Sequence, residues 1–345
     1  MGACGAFSDF CGSPDFSARR DGISFEKETD WKMKKYLPLI VLAFLAVLPL
    51  VGLSSYMLHM VILVIMWSAV GMAWNLLAGY CGQVSFGHAA YFGVGAYTSG
   101  ILYYQLKLSP WWGIPISIVV VTGFSFLLGL IVLRLRGPFF ALATLAMGEM
   151  MRVSAENLNW LTGGNIGILI QERTWIDKTY YYYIILAIAT ATFLVVKYLM
   201  QSKIGYYFVA IREDQDAAES LGIDTTWYKT IALCISGALT GIAGAFYTNY
   251  MGYIDPHVVF ALHDISIVTI MIVMVGGVAT LLGPFVGAII MVFLAELVRS
   301  IPGLGVAHQT FFGILLILII IFLPNGIVGD FQKIKRLFKV GGAYK

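Results

Sequence analysis

Long uncharged apolar runs, separated by short polar segments, set the pattern of this chain. Between Lys35 and Lys107 no Asp, Glu, Lys or Arg occurs, and further uncharged runs cover residues 108–133, 179–196, 230–254, 265–295 and 300–329. A helix needs about 20 predominantly apolar residues to cross a bilayer. The first run therefore has room for three passes and the last two for three more. The pattern predicts ten passes, at 37–57, 59–78, 83–104, 110–133, 137–151, 179–199, 229–250, 265–281, 283–298 and 306–323. The expected fold class is an all-α polytopic membrane protein with about ten passes (eight to ten), some of them short and broken. A signal peptide does not account for this, because its apolar core is short and stands alone.

Composition agrees. Of the 345 residues 59% are apolar and 12% charged, with a mean hydropathy of +0.83, whereas soluble domains carry roughly 25% charged residues. The net charge of +3 matters less than its distribution. With the N-terminus placed in the cytoplasm, seventeen of the 22 Lys and Arg fall on the inner side. The excess persists without the N-terminal tail, so the positive-inside rule favours both termini inside. Residues 1–32 are polar and mixed in charge, which suggests a disordered cytoplasmic tail or a mis-called start ahead of Met33. The expected organisation is a permease domain at 33–330 and a basic cytoplasmic tail at 331–345. The cysteines, Cys4, Cys11, Cys81 and Cys234, contain no CxxC pair, so neither a disulfide framework nor a metal site is expected.

Segment 79–98 is unusual for an apolar span. Glycines at 79, 82, 87, 93 and 95 thin or break the helix, and Gln83, Ser85 and His88 place polar groups at membrane depth. Backbone freed by a break must be satisfied by protein or a water-filled cavity, and Gly-interrupted spans point to transport paths. The candidate translocation path takes Asn75, Gln83, Ser85, Gly87, His88 and Thr98. The alternative is close packing through Gly87, Gly95 and Ala96, with His88 a buried, hydrogen-bonded structural residue. Glu149 and Glu296 each precede an arginine by three residues, a spacing that suits a local ion pair anchoring a helix end. No carboxylate stands convincingly mid-span, which argues against a proton-coupled carrier. Gly95-Ala96-Tyr97-Thr98, Ser117-Ile118-Val119 and Gly137-Pro138-Phe139 are echoed in order 146 to 149 residues later, as an internal repeat would require. Within 202–224, residues 214–221 form a good helix with acids at its start and Gly222 at its end. That helix is either a docking surface for a partner or a solvated connector.

The segment 79–98, Arg136-Gly137-Pro138-Phe139-Phe140-Ala141-Leu142-Ala143-Thr144-Leu145-Ala146, Leu161-Thr162-Gly163-Gly164, the 203–224 loop running on through Tyr228-Lys229 and Gly237 to Gly244-Ala245, Gly276-Gly277 and Gly283-Pro284 together resemble the LivM-type permease of branched-chain amino acid ABC importers. The resemblance covers roughly 34–330. It implies alternating access in the bacterial inner membrane, powered by two separate ABC ATPase subunits. A second, LivH-type permease and a periplasmic or extracytoplasmic substrate-binding protein complete the importer, and leucine, isoleucine or valine is the cargo. It also implies that the 203–224 loop couples to the ATPases, through Arg212, Glu213, Asp216, Ala217, Ala218, Leu221 and Gly222. Asp216 departs from that loop motif, which has Glu there. The chain has no Gly-Lys dipeptide and so no phosphate-binding G-x-x-x-x-G-K-[ST] loop. No enzymatic activity, no cofactor (ATP being used by the partners) and no nucleic-acid partner are expected. A sister permease for urea or short amides is the alternative, and a self-contained carrier or channel a more distant one.

Overall fold

The computed structural model describes residues 41–42, 44–52, 54–170 and 177–300, and beyond them 310, 313–314, 317, 321 and 326–329. The chain divides into two units at Leu53/Ser54. In the first, the described residues are helical and close with a 3-10 turn, Leu48–Val51, that ends at Gly52 in a left-handed conformation. The expected passes at 37–57 and 306–323, the tail 1–32 and the segment 331–345 lie partly or wholly outside the described residues.

The second unit is helical. Its longer helices are α1 (Ser55–Asn75), α2 (His88–Leu106), α3 (Gly113–Val132), α4 (Pro138–Asn157), α5 (Lys178–Gln201), α6 (Lys203–Glu213), α7 (Gln215–Ser220), α8 (Thr225–Met251), α9 (Val268–Gly276) and α10 (Gly283–Ser300). Among the described residues, six helical stretches are long and apolar enough to cross a membrane: Ser55–Tyr80, Pro110–Val132, Lys178–Gln201, Thr225–Met251, Pro256–Gly276 and Gly283–Ser300. Helices α2 and α4 are 19 and 20 residues long. They are not among the six, and α4 carries Glu149, Arg152 and Glu156.

Several boundaries move for identifiable reasons. The expected pass at 83–104 begins only at His88. Helix α1 instead widens into a π turn, Leu76–Tyr80, and the backbone is then non-helical to Gly87, with Gly82 left-handed at φ 74°. Side chains and local backbone satisfy the freed groups. Gln83 N donates to Leu77 O, Phe86 N to Thr144 Oγ1, Gly87 N to Ser85 Oγ and Ala89 N to Ser266 Oγ. Helix α4 runs to Asn157 instead of ending near 151, because Arg152 sits between Glu149 and Glu156 and pairs with both on one helix face. Helix α8 starts at Thr225, where the Asp224 side chain accepts from Trp227 N at 2.9 Å.

Small residues make the central seam. A Cβ on Gly95 would run into the Gly241 backbone, and one on Gly244 into the backbone of Phe92 and Ala96, so α2 and α8 touch main chain to main chain. Thr248 Oγ1 donates across the seam to Ala96 O at 3.0 Å, and Asn249 Nδ2 to Ser99 Oγ at 3.1 Å. Without water to drive association, such close van der Waals approach and interhelical hydrogen bonds hold spans together. Helix α3 packs on the same pair, with Val121 against Gly241 and Ser125 against Gly237. Among the described residues the only strands are Ile168–Leu169 (β1) and Tyr253–Ile254 (β2). They pair antiparallel with Ile168 opposite Ile254 and Leu169 opposite Tyr253.

Candidate functional site

The loop between α5 and α8 is built as a platform. Ser202 separates α5 from α6, and Asp214, in an extended conformation, separates α6 from α7 and caps α7 by accepting from Ala217 N at 3.0 Å. At the other end Ile223 N donates to Ala218 O and Gly222 N to Glu219 O, with Gly222 at φ 83°. This pair of bonds is the Schellman closure, and the left-handed residue it requires is the glycine. Local sequence thus defines a six-residue helix almost where the acids and Gly222 predicted one.

Its two faces differ. Ala218 is 3% exposed and packs in the core with Phe208, Ile211, Leu133 and Ile223. Leu221 is 82% exposed and Tyr206 72%, and Asp216, Ala217, Gly222 and Glu213 are exposed as well. The expected docking set therefore splits. Ala217, Leu221, Gly222 and Glu213 are exposed, Asp216 is exposed but tied to Arg136, and Ala218 faces into the chain. Arg212 reaches inward: its Nη1 donates to Gly79 O at 3.1 Å, and the same guanidinium pairs with Glu213.

Four residues that the sequence reading did not assign hold α7 in place. Arg136, in the turn before α4, donates to Asp216 at 2.6 Å and to Glu219 at 3.3 Å. Gln215 Nε2 donates to Glu219 at 2.8 Å, and Thr225 Oγ1 donates to the same carboxylate at 2.5 Å. Lys229, 1% exposed, donates to Gln215 Oε1. The hydrogen bonds from Gln215 and Thr225, with the Arg136 charge beside them, hold the Glu219 carboxyl below the usual carboxylate range. Arg136 carried a signal, since it opens the 136–146 motif. Lys229 lies in the stretch that continues the resemblance beyond the 203–224 loop, but its role was not legible, as a basic residue at the edge of an apolar run reads equally well as an interfacial anchor.

All the candidate path residues but Thr98, which lies well along α2, sit at the break between α1 and α2. Asn75, 2% exposed, accepts from Ala279 N and donates to Thr280 O, both at 2.9 Å, and so clamps the loop between α9 and α10. Ser85 is buried and its carbonyl accepts from Trp74 Nε1 at 2.8 Å. Gly87 lies against the backbone of Thr144. His88 is fully buried with Nε2 2.9 Å from Ser236 Oγ, and the Ser236 hydroxyl donates to Ala73 O at 2.6 Å. The serine proton being committed, the histidine Nε2 is the donor, as expected of a structural histidine. Thr98, half-buried, returns its hydroxyl to Val94 O. Gln83 is half-buried and its neighbours Gly82 and Val84 are exposed. Both carboxylates singled out earlier are partnered: Glu149 by Arg152 as expected, but Glu296 by the Tyr56 hydroxyl at 2.5 Å instead of by Arg299, because α1 brings Tyr56 within reach.

A family model described as "Branched-chain amino acid transport system / permease component" matches residues 56–323. The chain belongs to this family. Membership bears out the resemblance seen in the 79–98 and 136–146 segments, and the family is one of transporter permeases rather than enzymes. The high-affinity branched-chain amino acid transport system permease protein LivM of Escherichia coli K12 is 27% identical over 325 residues, which cover 86% of this chain and 75% of the relative. The LivM protein of Salmonella typhimurium LT2 is 28% identical over 288 residues, 75% and 67% of the two chains. A probable LivM of Methanocaldococcus jannaschii is 23% identical over 315 residues, 76% of this permease and 90% of the relative. Among solved structures, PsaBC from Streptococcus pneumoniae in complex with Fab aligns with a TM-score of 0.41 at 15% identity, covering 78% of this permease and 92% of that chain.

Proposed function

We propose that the chain is one permease subunit of an ATP-driven importer of leucine, isoleucine and valine in the bacterial inner membrane. The observation that carries this reading is the family match over residues 56–323. The geometry supports the division of labour. Ala217 on the capped helix α7 and Leu221 just after it are exposed, as is Tyr206 on α6, while polar bonds and the buried Ala218 hold α7 from behind, which suits docking of a separate ATPase subunit. A LivH-type second permease is supported by α4. Its exposed face carries Phe139, Leu142, Met150 and Val153 together with the half-exposed Glu149. An apolar face that also carries a carboxylate, even one paired with Arg152, suits contact with another protein better than contact with lipid. The remaining parts are two ATPase subunits, an extracytoplasmic binding protein, both termini inside, up to ten passes, and a core at 33–330 flanked by tails at 1–32 and 331–345.

The test is uptake into proteoliposomes holding this chain, the second permease and the ATPases, with the binding protein added. Saturable, ATP-dependent leucine uptake is expected, with no uptake and no ATP hydrolysis by this chain alone. Transport by the isolated chain would overturn the ATP-driven reading. Urea uptake with no leucine uptake would overturn the substrate.

A further inference from the structure

We propose that Arg212 is a positioning residue that links the docking helix α7 to the broken segment 76–87, and that Asn75 carries the link on to the loop between α9 and α10. The inference rests on the importer reading above and says where motion passes within this chain.

Gly79 lies in the closing π turn of α1, Leu76–Tyr80, so its carbonyl is one of those a helix terminus leaves unpaired. Arg212 Nη1 satisfies it at 3.1 Å from the last turn of α6, two residues before the cap of α7. A cation at this end also complements the helix dipole. The backbone of the break is moulded to the same side chain: a Cβ on Gly82 would lie 2.9 Å from Arg212 Cγ and 3.1 Å from its Cα. On its far side Gly79 has no room either, since a Cβ would press on Asn75 Oδ1 and lie 2.8 Å from Ala279 N. Asn75 then holds Ala279 N and Thr280 O together. An unbroken series of contacts thus runs from the docking platform through one helix break to another, 277–282. Other ties to α7 lead elsewhere: Arg136 to the turn before α4, and Lys229 and Thr225 to the continuous helix α8. Among the described residues, the Arg212–Gly79 bond is the one hydrogen bond from 203–224 to 76–87. It is also a single bond to an uncharged carbonyl, strong enough to transmit a displacement and weak enough to be remade in a second state.

The test uses the reconstituted importer, with leucine uptake and ATP hydrolysis measured in the same vesicles. For Arg212→Ala, ATP hydrolysis is expected to continue while leucine taken up per ATP falls about tenfold, the scale on which residues along a coupling route act. Arg212→Lys keeps one donor and should retain the ratio to within about twofold. Asn75→Ala should lower the ratio as Arg212→Ala does. An unchanged ratio in Arg212→Ala overturns the link. If that variant does not assemble, the remaining pair decides: a normal ratio in Asn75→Ala, or a collapsed one in Arg212→Lys, overturns it. A parent complex with no ATP-dependent uptake refutes the importer reading itself, and this inference with it.

Discussion

Gly95 shows what single residues do here. Its missing side chain lets α2 meet α8 at the Gly241 backbone. An added methyl would meet main chain, which cannot rotate away as a side chain would. Overpacking a core typically costs 1–3 kcal/mol, and Gly95→Val is expected to cost about 3 kcal/mol or more by that scale. Thermal unfolding in detergent should show it, and a midpoint equal to the parent would remove the seam from the account. Glu219 makes a different prediction. Its carboxyl titrates below the ordinary range in the folded chain, so the stability it contributes is full above its unfolded pKa, about 4.3. That contribution is lost as the pH falls through the depressed folded value. The parent should therefore lose more stability on acidification than Glu219→Gln, as read from unfolding midpoints on either side of the carboxylate range. Superimposable pH profiles would show that Glu219 adds nothing. Asn75 was legible as an odd polar residue in an apolar run, but its role was not. A clamp on Ala279 and Thr280 depends on residues some 200 positions away, which a local pattern does not bring together.

At the scale of elements, α7 is the case where local signals sufficed. Asp214, the acids that follow and Gly222 are capping residues in their capping positions, and the helix forms between them. Which face it buries was not legible, because six residues make fewer than two turns and periodicity needs more. The burial of Ala218 and exposure of Leu221 give a sharper experiment than replacing Gly222, whose left-handed backbone strains any other residue. Leu221→Asp should insert normally and unfold like the parent, yet lose co-purification with the ATPase subunits. Undiminished co-purification would place docking elsewhere. Spans are legible in the converse way. Long apolar runs gave the approximate extent of several of them, but not the break before His88, since the π turn and the Thr144 and Ser266 hydroxyls that make it tolerable lie on three separate elements.

On the scale of the whole molecule, the echoed motifs fall on matching elements. Gly95 and Gly244 lie in α2 and α8, which pack together, and the two Gly-Pro-Phe sequences open α4 and α10. The two ends of the bundle are fastened by different means. At the β1–β2 end, segments 84 residues apart are joined main chain to main chain, Ile168 opposite Ile254 and Leu169 opposite Tyr253, with Ile170 N also donating to Gly252 O. At the α7 end the fastenings are side chains: Arg136 on Asp216, Lys229 on Gln215, Arg212 on Gly79. The exposed Arg136–Asp216 pair contributes little, about 0–1 kcal/mol, and side-chain bonds can be exchanged one at a time, whereas a backbone ladder keeps its register only as a unit. The bundle is thus made like tongs riveted at one tip. A push at the end where the ATPases are proposed to sit would meet polar fastenings that can be exchanged one by one, while the main-chain ladder at the other end keeps its register.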